Sequence, residues 1–374
     1  TGTFVEIDVT TDNAVYSGVN SSLLVLSGVP SAYNGYLYRV TVGGACPDTD
    51  TSPEVTLTVN EIPEIVADPV NNTVCETDPA SFTVDPGLTT DPEYQWQVNK
   101  TGAWVNLTTD DVNSGEYTGV TDQTLTVVAP TIAFNNYRYR VIVSGECAPS
   151  VTSEAATLTI DTRPVITDSP ATQTVCEDEI VEFYVNAGTT TEPQYLWEYS
   201  TDDGGNWTDA SDLTEVATDD EATLAIPAVP SAYTSYWFRA TVSGKCAAPV
   251  LSENAVLTVD DKPEIDEQPR DTTACEQDTV WFVVDAGVTT DPGYTWQYYN
   301  GVSWLNLTDN STYAGVNNDT LVVNGISGSM SGTQYRVRIS GTCAPEALSD
   351  TVTLTVNERP EVVGAPQSMT TCEG

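Results

Sequence analysis

The chain repeats itself with a period close to one hundred residues, and this limits its fold more than any other feature. The prolines Pro63, Pro164, Pro263 and Pro360 lie 101, 99 and 97 residues apart, in the short linkers NEIP, DTRP, DDKP and NERP. Between them the same landmarks return in the same order: a cysteine-glutamate turn, a tryptophan-centred strand, a second tryptophan, an arginine-bearing strand and a Gly-x-Cys loop. A segment that recurs whole at this period is one small domain, so the chain is an array.

The period predicts three complete domains, 62–160, 161–259 and 260–357. Residues 1–61 align with the later part of a unit, because TGTFVEIDVTT lies where TGAWVNLTTDD (101–111) lies in the next, and 358–374 align with a first strand. These two stretches are read as the C-terminal part of one truncated domain and the first strand of another. No signal peptide or membrane-spanning run appears in the sequence.

Charge and chemistry exclude several classes. The 54 acidic residues against 12 basic give a net charge of −42, which argues against nucleic acid and anionic membrane surfaces as partners and keeps an extended array soluble. Histidine is absent, and no nucleophile elbow or P-loop occurs, so neither nucleophilic catalysis nor phosphate cradling has its usual residues. The chain is expected not to be an enzyme, and no cofactor is called for.

Each unit consists of short alternating runs rich in β-branched and aromatic residues, such as EIVEFYVNAG, EPQYLWEYS, SYWFRATVSG and ENAVLTVD, broken by Gly, Pro, Asp and Asn. About seven strands in about a hundred residues predict a β-sandwich, and the landmark order is that of an immunoglobulin-like domain. The expected architecture is all-β, with tandem immunoglobulin-like sandwiches stacked head to tail. Trp96, Trp197 and Trp296 take the buried indole position, and Tyr139, Phe238 and Tyr335 the core of the arginine-bearing strand. Val84, Val185 and Val284 are expected opposite those aromatics, in place of the cross-core disulfide of antibody domains. Tyr36, Tyr137 and Tyr236 stand where a tyrosine corner falls, with Thr333 in the last unit. Arg39, Arg140, Arg239 and Arg336 recur at one position and are expected to pair with an acid on the same sheet face.

Eight cysteines form two series. Cys75, Cys176, Cys275 and Cys372 close the first strand of each unit, in what we term the CE turn; Cys46, Cys147, Cys246 and Cys343 lie in the later SG loop. Such a set in an acidic all-β chain reads as disulfides formed in an oxidising compartment. Two pairings compete. Bonds inside each unit would join Cys75 to Cys147, Cys176 to Cys246 and Cys275 to Cys343. In an immunoglobulin-like sandwich, however, the two segments lie at opposite ends, more than ~20 Å apart at about 3.3 Å per residue, whereas a disulfide needs Cα atoms within roughly 7 Å. Head-to-tail stacking would instead join Cys75 to Cys246 and Cys176 to Cys343, leaving Cys46, Cys147, Cys275 and Cys372 to partners beyond this chain. The constant 29 residues from each SG-loop cysteine to the next CE-turn cysteine favours a fixed junction, since the spacing inside a unit drifts through 72, 70 and 68.

The TVCE and TACE turns, the YQWQ, YLWE and YTWQ strands, the GAWVNLT and VSWLNLT strands and the YRV…SG…CAP run resemble the immunoglobulin-like repeats of very large surface proteins of Bacteroidetes-type bacteria, including SprB-like gliding-motility adhesins. The resemblance implies export to the cell surface and a non-catalytic stalk or filament serving attachment or gliding. Calcium- or carbohydrate-binding adhesive repeats and an accessory array of a secreted hydrolase are the competing readings. For calcium, the candidates are Asp85 with Asp91, Asn186 with Glu192, Asp285 with Asp291, and the linker acids Glu61, Asp161, Asp260, Asp261 and Glu358, though their spacing matches no dedicated calcium loop. For a surface glycan receptor, Trp104, Trp207 and Trp304, with Phe4 at the matching place, offer aromatic faces; the plainer role is to cover the sandwich. Neighbouring repeats of the same chain are the remaining expected partners.

Overall fold

The computed structural model describes residues 3–7, 15–214, 216, 221–371 and 373. By packing, the chain divides into two compact units, Thr1–Arg163 with Lys245–Ala247, and Pro164–Gly244 with Ala248–Gly374. Among the described residues no helix is long and apolar enough to cross a membrane.

Unit one contains one complete sandwich. Its larger sheet runs Trp104–Asn106, Glu93–Asn99, Arg138–Ser144, Ala156–Asp161 and Asn72–Cys75, with Val151–Thr152 also paired to Arg138–Ser144. Its smaller sheet runs Tyr117–Thr118, Thr124–Val127 and Ala80–Thr83. Period-two sequence patterning produces the layers: Tyr139, Val141 and Val143 face inward while Arg138, Arg140 and Ile142 face outward. Preceding this sandwich, the paired strands Tyr16–Ser17 with Val25–Leu26, Leu37–Tyr38 with Val55–Thr56 and Thr41–Gly43 with Thr49–Thr51 carry the pattern of a unit's later half.

Unit two holds two sandwiches of the same plan, one around Trp197 and one around Trp296. In all three sandwiches the short first strand pairs parallel with the last, in registers that set Cys75 beside Asp161, Cys176 beside Asp260 and Cys275 beside Asn357. The CE turn is thereby tied to the start of the linker. No strand lies among the described residues of 358–374.

The three indoles are fully buried, and each Nε1 donates to a backbone carbonyl, of Asp122, Glu221 and Asn318, at 2.9 Å. Satisfying that N–H is what allows so large a ring to sit dry. The sequence expectation needs correction at the residue facing the arginine-strand aromatic. Phe82 lies 4.8 Å from Tyr139, Phe183 4.7 Å from Phe238 and Phe282 5.1 Å from Tyr335, ring centre to ring centre. The valines 84, 185 and 284 are buried two residues further on, past the end of the strand.

Tyr36, Tyr137 and Tyr236 also differ from expectation. Each ring packs on an aromatic of the preceding 3₁₀ turn, Tyr33, Phe134 and Tyr233, at 4.7, 5.4 and 4.9 Å. Where the third sandwich has Thr333, the turn residue is Met330, so the two positions change together.

Candidate functional site: the cysteine junctions and the arginine–tryptophan faces

Cys75 is bonded to Cys246 and Cys176 to Cys343, with Cα–Cα separations of 5.7 and 5.8 Å. Each bond joins the CE turn of one repeat to the SG loop of the next, and both cysteines of each pair lie inside one compact unit. Among the described residues Cys46, Cys147 and Cys275 form no disulfide, and Cys372 lies outside those residues.

The chain around each bond is built from recurring parts. At the bond in unit one, the Asp161 carbonyl accepts from the Glu76 N–H at 2.8 Å and lies 3.7 Å from the Cys246 sulfur. The buried Asp161 carboxylate pairs with Lys245 at 3.1 Å. In unit two the Asp260 carbonyl takes the same place, accepting from Glu177 N–H at 2.9 Å and lying 3.4 Å from the Cys343 sulfur. Cys147 sits equivalently, 3.6 Å from the Asn60 carbonyl. The sulfurs of Cys147, Cys246 and Cys343 therefore each rest on the carbonyl of the first residue of a linker.

The glycine of the SG loop is required by close approach. A Cβ at Gly145 would stand 2.6 Å from the Thr90 carbonyl oxygen, and one at Gly341 would stand 2.8 Å from that of Thr290. The threonine pair of the preceding loop also holds the linker: Thr90 and Thr290 Oγ1 accept from the N–H groups of Glu61 and Asp261 at 2.8 and 2.9 Å.

A further component escaped the sequence reading. The residue before each of the last three linker prolines is basic, and it reaches back to the CE turn of the preceding repeat. Arg163 donates to the Glu76 carbonyl, Thr77 Oγ1 and Asp78 Oδ1 at 2.9, 3.1 and 2.9 Å. Lys262 reaches Asp178 at 2.8 Å, and Arg359 reaches Asp278 at 2.7 Å and the Glu276 carbonyl. These cations cap turns whose residues Thr77, Asp178 and Gln277 take positive φ of 71, 61 and 69°, a conformation costly for non-glycine residues.

The calcium candidates have local structural duties. Asp85, Asn186 and Asp285 each accept from the glycine N–H two residues on, at 3.0 Å, closing a turn. Among the described residues no three His, Cys, Asp or Glu side chains converge as around one metal ion.

The recurring arginines do not all find an acid. Each stacks on the aromatic of the neighbouring edge segment: Arg39 on Phe4 at 3.9 Å, Arg140 on Trp104 at 4.2 Å, Arg239 on Trp207 at 4.0 Å and Arg336 on Trp304 at 4.2 Å. Arg239 also donates to Glu198 at 2.9 Å, and Arg39 lies 4.0 Å from Glu54. Arg140 and Arg336 donate to the neutral amides of Gln97 and Gln297 at 2.7 and 2.8 Å. Burial, reinforced by the nearby Arg338 charge, lowers the pKa of Arg336.

No protein-family model matches the sequence, and no curated protein matches it. Among solved structures, the titin I-band fragment I67–I69 matches with a TM-score of 0.55 at 15% identity, over 80% of this chain and 100% of that one. An E-to-A variant of the same three-domain titin structure matches with a TM-score of 0.54 at 15% identity, over 79% and 99%. At this identity the likeness establishes the fold alone: the chain is a tandem array of immunoglobulin-like sandwiches.

Proposed function

We propose that the chain is the non-catalytic stalk of a secreted bacterial surface adhesin or filament, built from the domains 62–160, 161–259 and 260–357 and giving extension and mechanical continuity for attachment or gliding. The observation that carries this reading is the pair of bonds from Cys75 to Cys246 and from Cys176 to Cys343, which link successive repeats instead of closing each on itself. A disulfide within a sandwich would protect that sandwich alone, whereas a bond between repeats carries load past the linker. Disulfides persist in oxidising compartments, which supports an extracellular setting. The basic clamps at Arg163 and Lys262 hold the bonded turns in place, Arg359 holds the equivalent turn at Cys275, and the acidic surface keeps an exposed array soluble. Cys275 and Cys147, placed like their bonded counterparts, would continue the same series with neighbouring repeats.

Stretching single molecules tests this. With both bonds intact, the shortest covalent route from Cys75 to Cys343 crosses to Cys246, returns to Cys176 and crosses again, using 70 residues of chain (246−176) in place of 268 (343−75). At ~3.4 Å per residue the fully unfolded span is about 240 Å oxidised and about 910 Å reduced. Equal spans under the two conditions, or recovery of Cys176 linked to Cys246 in a non-reducing peptide map, would overturn the reading.

A further inference from the structure

Twelve basic residues among 54 acidic ones should all find carboxylates, and most do. Eight form ion pairs within 4.0 Å. Of the four that form none among the described residues, Lys100, Arg138 and Arg140 belong to one end of one sheet in the first sandwich, and the fourth is Arg336. In so acidic a chain, a cluster of cations left without acids is an exception that needs a reason.

The face is laid out by register. Trp104, Asn99 and Arg138 form one outward row, and Asn106, Gln97 and Arg140 the next. The Arg140 guanidinium stacks on the Trp104 ring at 4.2 Å, with Arg138 at 6.0 Å from the same ring. Gln97 donates to Asn106 Oδ1 at 2.7 Å, which orients its own oxygen to accept Arg140 Nε at 2.7 Å. The guanidinium is thus held in place through its Nε and ring plane, while the Nη edge that matches a carboxylate carries no ion pair. In the second sandwich the corresponding row is Asp209, Glu198 and Arg239, and Glu198 neutralises the arginine.

We propose that this face of the first sandwich binds the carboxylate of an acidic sugar, a uronate unit of a sparsely charged polysaccharide, with Arg140 and Arg138 holding the carboxylate and Asn99, Asn106 and the edge of Trp104 meeting the ring and its hydroxyls. The charge of −42 disfavours dense polyanions at longer range, so a single charge on a neutral-rich polymer suits a short-range cationic site better than nucleic acid does. A peptide strand would pair with the open edge at Trp104–Asn106, whereas these groups project from the sheet face, where backbone hydrogen bonds are already made. Arg336 on Trp304, oriented by the same Gln297–Asn306 pair at 2.7 Å, repeats the motif in reduced form, since Gln334 stands at the place of Arg138 and Arg338 is paired with Glu346. This proposal does not depend on the stalk reading, and its failure would leave that reading intact.

The test is calorimetric titration of the whole chain with a trisaccharide of two galactoses and one galacturonate, with neutral galactotriose and the tripeptide Gly-Glu-Gly as comparators. The uronate trisaccharide should bind at least about tenfold more tightly than either, the difference expected for one charge-assisted contact with correct geometry. Gln97→Glu, which places the second sandwich's carboxylate beside Arg140, should weaken binding by about tenfold or more, with an unchanged thermal unfolding profile. Arg138→Gln, at an exposed position, should do the same without touching the core. No binding of the uronate trisaccharide, binding indifferent to both substitutions, or Gly-Glu-Gly binding as tightly as the sugar acid would each overturn the proposal.

Discussion

The second sandwich differs from the first and third in a way that shows how polar groups are allowed into this fold. In the first, Tyr117 and Tyr139 bring their hydroxyls to 3.4 Å of each other inside the core; in the third, Tyr313 and Tyr335 meet at 3.2 Å; ahead of both, Tyr16 and Tyr38 meet at 2.9 Å. The second sandwich has Val216 and Phe238 at the matching positions and no hydroxyl at either. At these two positions hydroxyls therefore come in pairs or not at all, since one alone would lose its hydrogen bond to water without replacement. The sheet face follows a parallel rule in charge: the second sandwich neutralises its stacked arginine with Glu198, while the other two leave theirs beside glutamine.

The comparison can be broken most forcefully where the sandwiches do not differ. Replacing Trp96 or Trp197 by alanine should cost about 3–5 kcal/mol in either sandwich, measured by denaturant unfolding, because both indoles are fully buried and hydrogen-bonded alike. Unequal losses would mean that the cores differ beyond the tyrosine pair. Next in size is Phe238→Tyr, which puts one hydroxyl into the second core with no partner and should destabilise by about 1–3 kcal/mol. Tyr117→Phe should cost about 1–2 kcal/mol by stranding the Tyr139 hydroxyl, and adding Tyr139→Phe should restore much of the loss. Simple additivity in that double-mutant cycle would show that the two hydroxyls do not depend on each other.

Alkali sharpens the contrast. Burial raises Tyr117 from its ordinary value near 10 to about 12, with Tyr139 and Tyr335 also pushed upward by burial. A neutral form favoured by the fold contributes stability in full below pH 10, and loses it as pH rises through the folded value near 12. Melting curves across that window should show the first and third sandwiches weakening before the second. Smallest is the sheet face: Glu198→Gln should destabilise the second sandwich by about 1 kcal/mol or less, because the pair it breaks remains partly solvated.

The architecture was legible because strand alternation and a hundred-residue period survive any ignorance of contacts, and the cysteine partners because a sandwich fixes which loops share an end. The partner of Tyr139 was misplaced by two residues, at Val84 instead of Phe82, since both belong to one alternating run and only the end of the strand decides between them. The tyrosine pairs had a signal that went unread: each lies 22 residues apart, and Val216–Phe238 keeps that spacing. The clamps of Arg163, Lys262 and Arg359 depend on the parallel pairing of first and last strands, which no local pattern announces.

The two disulfides interleave, since Cys176 lies between Cys75 and Cys246, and Cys246 lies between Cys176 and Cys343. Cutting one peptide bond anywhere from Cys75 to Cys343 leaves the flanking ends joined through the remaining segments. A second cut in a different one of the three segments, 75–176, 176–246 or 246–343, is also survived, because one intact segment and the cross-links still complete a route. Severing the chain requires a cut in each of the three, so a molecule exposed to proteases keeps its continuity through damage that would divide a singly linked chain.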